Sequence, residues 1–354
     1  MGITILITFG FVTLLALLEE YLHEYRRVIY LVLTIFLILL AGGRKVGIDP
    51  DSINYEQSYL HYDDINALKM VEYSFVLLSE IFNHFTHDVH ILFLFYAIIG
   101  VGIKMYAFTK LSKRWFLPVM VYLSYYYTMH DCMQMRTGIL SAMLLMALYE
   151  IGQKRKWRAL AFIVIGSVFH MSGLIALPLL FLSNHQITKR QTYAWIALVV
   201  TGYLIFLSGF SFNVGGVNVP YISSKIGSYQ AATESGRGDA FASVNVFSPL
   251  RLFILLLFLY LSFFRQTIIL HYPCFPILFK VFALGIFSYT AFAFFPVIAQ
   301  RFAMLFEIVT TILYAGIFYT IKPRWASLSI LSLVCLLLMN YSLCNLGLIL
   351  FWKV

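Results

Sequence analysis

Charge is scarce in this chain of 354 residues: Asp, Glu, Lys and Arg make up 12% of it, against 61% hydrophobic and 18% aromatic residues. So little charge excludes an ordinary water-soluble globule. Polar gaps long enough to fold as separate domains are missing as well, so residues 1–354 read as one polytopic membrane domain. Residues 3–18, the first apolar run, have neither a basic leader nor a small-residue cleavage site. That run is expected to stay as a span. The four cysteines, Cys132, Cys274, Cys335 and Cys344, show no paired or metal-type spacing, which excludes a disulfide frame and a zinc site of the usual pattern. A Walker loop, a dinucleotide glycine fingerprint, a nucleophile elbow and an HExxH helix are all missing.

What is present is a series of apolar runs. Spans are predicted at 3–18, 28–42, 89–109, 115–130, 136–152, 192–212, 249–264, 275–298, 302–321 and 326–351, with 159–182 as a further segment of irregular path. This gives an all-α polytopic membrane protein with about 10–12 transmembrane segments. Basic residues cluster at Arg26 and Arg27, "KLSKR" (110–114), "KRKWR" (154–158), "TKR" (188–190), Arg265 and "KPR" (322–324). The positive-inside bias makes those clusters cytoplasmic, and it explains most of the net charge of +9, leaving nucleic acid without a role. All of them share one side only if 159–182 enters and leaves on the same face, as a broken hairpin turning near "FHMSG" (169–173). The opposite face then receives the loops at about 43–88 and 213–248 and the short links at 129–136 and 298–301.

On that outer face basic residues run against the usual bias and need a reason. Arg44, Lys45, Lys69, Arg136, Lys225, Arg237, Arg251, Arg301 and Lys353 all fall there. Arg136, Arg251 and Arg301 stand at the mouths of apolar spans, where a guanidinium wants an anionic partner and its fork matches phosphate or carboxylate oxygens. One such arginine could simply snorkel or pair with an acid; several on one face point to an anionic substrate. Acids gather on the same face, including Asp49, Glu56, Glu72 and Asp88, with Asp51, Asp63 and Asp64 read as ordinary loop hydration. Arginines beside carboxylates could hold a phosphate while deprotonating a hydroxyl. Residues 71–87 repeat Glu72, Glu80, Asn83 and His87 between Phe75, Leu78, Phe82 and Phe85, the pattern of an amphipathic interfacial helix. His84, His87 and His90 near Asp88 could suggest a metal, yet histidines at a membrane edge are more often interfacial, and none is assigned. His170, in mid-stretch, and Glu307 each need a partner; a basic residue from another span is expected for Glu307. "SGRGDAF" (235–241) could serve as a substrate lid or as a plain connection.

Four dispersed elements, in order, resemble the EpsG family of polytopic bacterial proteins grouped with the Wzy-type polysaccharide repeat-unit polymerases. They are "RKVGIDPDSINY" (44–55), "MRTGILSAMLL" (135–145), "FHMSGLIALP" (169–178) and "QRFAMLFE" (300–307). The chain departs from the family in the isoleucine before Asp49 and in Met-Leu-Phe at 304–306. The resemblance implies a GT-C-like glycosyltransferase of the bacterial inner membrane, facing the periplasm and needing neither metal nor nucleotide cofactor. It would polymerise undecaprenyl-pyrophosphate-linked oligosaccharides into O-antigen, capsule or another surface polysaccharide. The growing glycan would pass from its lipid pyrophosphate to a sugar hydroxyl of an incoming unit. Partners implied are the two lipid-linked glycans, membrane lipid, a chain-length regulator and a flippase.

Such chemistry needs cations for the departing pyrophosphate and a base for the acceptor hydroxyl. Arg136 and Arg301 come first for the pyrophosphate, with Arg44 and Arg251 next. Asp49 is the preferred base, then His170, then Glu56, while Tyr55 and Tyr59 would meet sugar rings and Gly47 belongs to the motif. Two readings from other classes are a polysaccharide flippase or transporter and a membrane O-acyltransferase acting on surface glycans. A transporter predicts mid-bilayer charges in repeated halves, whereas here no repeat is visible and the charges gather at one face.

Overall fold

The computed structural model describes residues 1–64, 72–209, 244–345, 347 and 349, and among them every regular element is helical. Most of the expected outer loop 213–248, with Lys225, Glu234, Arg237 and Asp239, lies outside the described residues, as do Lys69 and Lys353. In chain order the first helices are α1 (Gly2–Leu18), α2 (Arg26–Gly42), α3 (Ser52–Leu60), α4 (Tyr73–Asn83), α5 (His90–Leu111), α6 (Phe116–Ser124) and α7 (Met135–Gly152), with a π-helical turn at Tyr127–Met133. Then come α8 (Lys156–Phe169), a 3-10 stretch at Met171–Phe181, α9 (Lys189–Leu207), α10 (Pro249–Phe263), the short α11 (Arg265–Ile269) and α12 (Phe275–Ala291). Pro296–Tyr319 (α13) and Arg324–Asn340 (α14) complete the order.

Among the described residues five helices are long and apolar enough to cross a membrane: α5, α7, α9, α13 and the helix that begins at Arg324. Gly2–Leu18, Met171–Phe181, Pro249–Phe263 and Phe275–Ala291 are apolar but shorter, and the predicted span at 115–130 is built from α6 and the π-helical turn together. The protein is thus a polytopic all-α membrane protein.

The chain divides into two compact units. The first contains Met1–His185, Phe264–Leu278 and Ile308–Val354; the second contains Gln186–Phe263 and Phe279–Glu307.

In the first unit α5, α7 and α8 pack side by side and α2 lies along α5. Gly42 makes the last contact possible, since a Cβ there would fall 2.8 Å from the Leu94 Cα. α2 has 17 residues, so its ends are about 26 Å apart. At its start Arg26 lies 3.6 Å from Glu19, Arg114 binds Glu20, and Arg324 reaches the two Glu20 oxygens at 2.5 and 2.6 Å. Three of the basic clusters therefore meet at one end of the unit. Arg44 follows the other end of α2 and belongs to the opposite, acidic group.

Segment 159–182 doubles back. α8 stops at His170, whose backbone is extended, and the 3-10 stretch returns beside α8, bringing Asn184 back to Gly152: a Cβ on that glycine would be 3.6 Å from the Asn184 Nδ2. Gly152 ends α7 and Met135 starts it, so the turn at His170 points toward the Met135 end. α4 occupies the predicted amphipathic stretch. Phe75 is fully buried, Leu78 and Phe82 pack on the core beneath, and Tyr73, Leu77 and Ile81 form an exposed apolar stripe.

Candidate functional site

The loop after α2 is built from its own polar atoms. Gly43 ends the helix by donating to Leu39, and the Arg44 Nη1 donates to the carbonyl of Ala41 at 2.7 Å, placing a cation on the negative end of the helix dipole. The Arg44 Nε then reaches the Asp49 Oδ2 at 3.2 Å, with both side chains 0% exposed. The other Asp49 oxygen accepts the amides of Asp51 at 3.1 Å and Ser52 at 2.9 Å, satisfying the first donors of α3. Gly47 has φ +85° and donates to the Ser52 Oγ at 2.8 Å, a backbone turn that a side chain would strain. The Arg44 guanidinium also lies 3.9 Å from the Phe93 ring centre. "RKVGIDPDS" is therefore a clasp between two helix ends. Arg44, Gly47 and Asp49 come together as the sequence suggested, but no polar atom of Asp49 is left facing outward.

The second assembly gathers at the start of α7. α7 begins with Arg136 in its first turn, and the Arg136 Nη1 donates to the Glu72 Oε2. The other Glu72 oxygen lies 2.5 Å from the His170 Nδ1. The Arg136 guanidinium stands 5.6 Å from the centre of the Tyr55 ring. Side-chain exposures of 21% for Arg136, 10% for Glu72 and 12% for His170 leave the group partly open. Its floor is aromatic: Phe75 lies 5.9 Å from Tyr55 and 6.5 Å from Tyr96, and Tyr96 meets Phe169 edge-on at 6.0 Å. The Ser74 hydroxyl, donating 2.7 Å to the Val168 carbonyl, ties the start of α4 to the end of α8.

Local charges set the titration of both acids. Burial pushes the Glu72 carboxyl up, yet the hydrogen bond from His170 and the Arg136 charge outweigh it and hold the group at about 2. Asp51 is shifted the other way, to about 6, chiefly by burial with the Asp49 charge adding to it, while Arg136 and Arg44 oppose the rise. One acid near Arg136 is thus firmly ionised, and another is poised close to neutrality.

Of the other predicted residues, Tyr59 is fully buried and gives its hydroxyl to the Thr86 carbonyl at 2.6 Å, which leaves only packing for it in this arrangement. Glu56 is half-buried on α3. In the second unit the Arg251 Nη1 donates to the Glu307 Oε1 at 2.5 Å and its guanidinium lies 3.4 Å above the Tyr289 ring, so Glu307 has a basic partner from another helix. Arg301 is half-buried in α13, one and a half turns before Glu307. His84 and His87 bond to the Glu80 carbonyl and the Asn83 side chain, and His90 bridges Asp88 at 2.5 Å and the Arg44 carbonyl at 3.1 Å. Among the described residues no group of three or more His, Cys, Asp or Glu is arranged to hold a metal ion.

Two acids of the site were not among those singled out in the sequence. The sequence places Glu72 on the polar face of an amphipathic helix, whereas it precedes the helix with an extended backbone, ψ 150°. Asp51 was assigned to loop hydration. A signal was available for Glu72, which stands between Val71 and Tyr73; Asp51, between Pro50 and Ser52 in a polar stretch, offers none.

The fold and the clustered polar groups define a polytopic, all-helical membrane protein with a partly open Arg–Glu–His assembly. A match to the EpsG family covers residues 27–348, nearly the whole chain, and the protein belongs to that family. It is a Wzy-like, polymerase-type family, which suggests a role of the polysaccharide-polymerase kind. Neither the curated proteins nor the solved structures gave a match.

Proposed function

We propose that the protein polymerises undecaprenyl-pyrophosphate-linked oligosaccharide repeat units at the outer face of the bacterial inner membrane. The growing glycan moves from its lipid pyrophosphate to a sugar hydroxyl of an incoming unit. The observation that carries this reading is the contact of one carboxylate, Glu72, with both Arg136 and His170 at the start of α7, over Tyr55. The transfer breaks a bond from the anomeric carbon to a pyrophosphate oxygen, so negative charge grows on the leaving group and is balanced by a guanidinium. The acceptor hydroxyl needs a proton acceptor at hydrogen-bond range, and His170 and Asp51 are the groups whose surroundings suit that task. The Arg44–Asp49 clasp then positions α3 and Tyr55 instead of meeting the substrate. The energy of the step is already stored in the lipid pyrophosphate, and nucleotide is not required by the chemistry. A flippase supplies the lipid-linked units in this scheme, and a chain-length regulator sets how many are joined.

Surface polysaccharide from a strain lacking the protein tests this reading. Gel profiles should lose the ladder of long chains and keep single capped units, and wild-type protein should restore the ladder while Arg136→Ala at normal abundance should not. Loss of capped units as well would favour the flippase, and an intact ladder with altered acylation would favour the acyltransferase. For orientation, a cysteine at the exposed Ile53 should react with an impermeant thiol reagent added from outside, and one at Lys156 should not. The reverse pattern would place the site on the cytoplasmic side and end the proposal.

A further inference from the structure

Glu72 makes the contact that a phosphate would make. A guanidinium binds carboxylate and phosphate oxygens through the same in-plane donors, and the Arg136 group stands 5.6 Å from the Tyr55 ring centre while its Nη1 is held by the Glu72 Oε2. We propose that Glu72 and the substrate's pyrophosphate compete for Arg136, and that the exchange hands Glu72 over to His170 as the pair that accepts the proton. The inference rests on the polymerase reading and adds to it the residue that links substrate binding to base strength.

Three features of the site make the exchange possible. Glu72 lies just before α4 with φ −73° and ψ 150°, so its side chain can rotate without unwinding a helical turn. α4 itself is fastened elsewhere, by the Ser74 bond to the Val168 carbonyl and by Phe75, which is fully buried against Tyr55 and Tyr96. Finally, each carboxylate oxygen has a different partner: Oε2 can leave Arg136 while Oε1 stays 2.5 Å from the His170 Nδ1.

The chemical consequence follows from charge. While Arg136 shares it, the Glu72 carboxylate raises the basicity of His170 only in part. Once pyrophosphate has taken the guanidinium, the carboxylate has only the imidazole to act on, and a carboxylate on one ring nitrogen strengthens the other as a base. The acceptor oxygen then bonds to the anomeric carbon and its proton goes to the Glu72–His170 pair. The bond from that carbon to the pyrophosphate oxygen breaks, and its electron pair leaves on the pyrophosphate against Arg136. Full base strength thus arises only with a lipid pyrophosphate in place.

Binding and turnover should therefore respond oppositely to one substitution. The probe is inorganic pyrophosphate, titrated calorimetrically into the full chain in detergent, beside ladder assays in the deletion strain. Glu72→Gln keeps the shape of the side chain and removes its charge; it should tighten pyrophosphate binding by at least about fivefold and abolish long-chain polymer. Glu72→Asp, with the carboxylate drawn back, should bind between wild type and Gln. Arg136→Ala should bind no pyrophosphate. Unchanged or weaker binding by Glu72→Gln, with binding lost in Arg136→Ala and every variant still folded by a cooperative melt above the assay temperature, would overturn the competition and leave Glu72 as a fixed positioning residue. Binding that is indifferent to Arg136→Ala would instead remove Arg136 from the pyrophosphate, a separate failure that takes down the assignment in the polymerase reading too.

Discussion

The His170 Nδ1 lies 2.5 Å from the Glu72 Oε1 although 98 positions separate the two residues in the chain. The contact exists because α8 ends one residue before His170 and α4 starts one residue after Glu72. Two chain ends of helices meet, each presenting a polar group where it has left the regular backbone. His170→Gln should retain pyrophosphate binding, since Arg136 is untouched, and lose at least about a hundredfold in polymer formation. Calorimetry and chain-length gels on the same variant check the separation; joint loss of both would make His170 a support of the fold.

Arg44 and Asp49 should behave in the opposite way. Their pairing has no exposed side-chain surface, and breaking one partner of a buried pair costs about 3–5 kcal/mol because the other charge is left behind. Asp49→Asn should lower the melting temperature and the amount of protein in the membrane. Activity per folded molecule should fall far less than for His170→Gln. Melting followed by size-exclusion fluorescence, alongside polymer yield per unit protein, distinguishes a clasp from a base.

Asp51 gives a pH-dependent outcome whose sign is fixed. Its carboxyl is raised from the ordinary value of 3.8 to about 6 by burial and by Asp49, so the folded protein binds the proton more tightly than the unfolded chain. Stability linked to this group is fullest below pH 3.8 and is lost as pH rises through 6. Asp51→Asn should stabilise the protein at pH 7.5, by on the order of 2 kcal/mol, with the gain disappearing below about pH 4. Glu72, held at about 2, gives the contrary trend: its contribution is present above 4.5 and is lost only as pH falls through 2. Thermal melts of wild type, Asp51→Asn and Glu72→Gln across pH 2 to 8 test both signs.

Within the first unit, the Lys104 Nζ donates to both Asp131 oxygens at 2.8 Å and to the Gly138 carbonyl at 2.7 Å, and the Tyr122 hydroxyl adds a bond of 2.6 Å to the same carboxylate. All three ammonium hydrogens are satisfied, and neither side chain is appreciably exposed. Lys104→Met alone strands the carboxylate, and the expected loss is about 3–5 kcal/mol. The double variant Lys104→Met, Asp131→Leu should recover part of that loss. A double-mutant cycle on melting temperatures measures the recovery, and equal losses in the single and double variants would contradict it.

Much of the architecture was legible from composition and spacing. Apolar runs located α1, α2, α5 and α7 to within a few residues because a bilayer imposes a length on anything that crosses it. The positive-inside pattern implied that 159–182 returns to its own side, and the break at His170 answers to that constraint. A charge at the edge of an apolar segment, or a histidine within one, is also visible in one dimension, so Arg136 and His170 could be singled out. Tyr59 could not be judged, since a tyrosine beside a polar loop looks the same whether its hydroxyl faces a sugar or the Thr86 carbonyl.

By itself, then, the sequence determined the solvent in which this protein folds, the helical class, the family resemblance and the short list of polar groups that needed a reason. Only the tertiary structure decided which of those groups neutralise one another. Asp49 is consumed by Arg44 five residues away, while Arg136 and His170 are joined through Glu72, 64 and 98 positions distant. The physical reason is that a charge in a poorly hydrated place is settled by its nearest counter-charge, and nearness between helices is set by packing, which residue order along one helix does not contain.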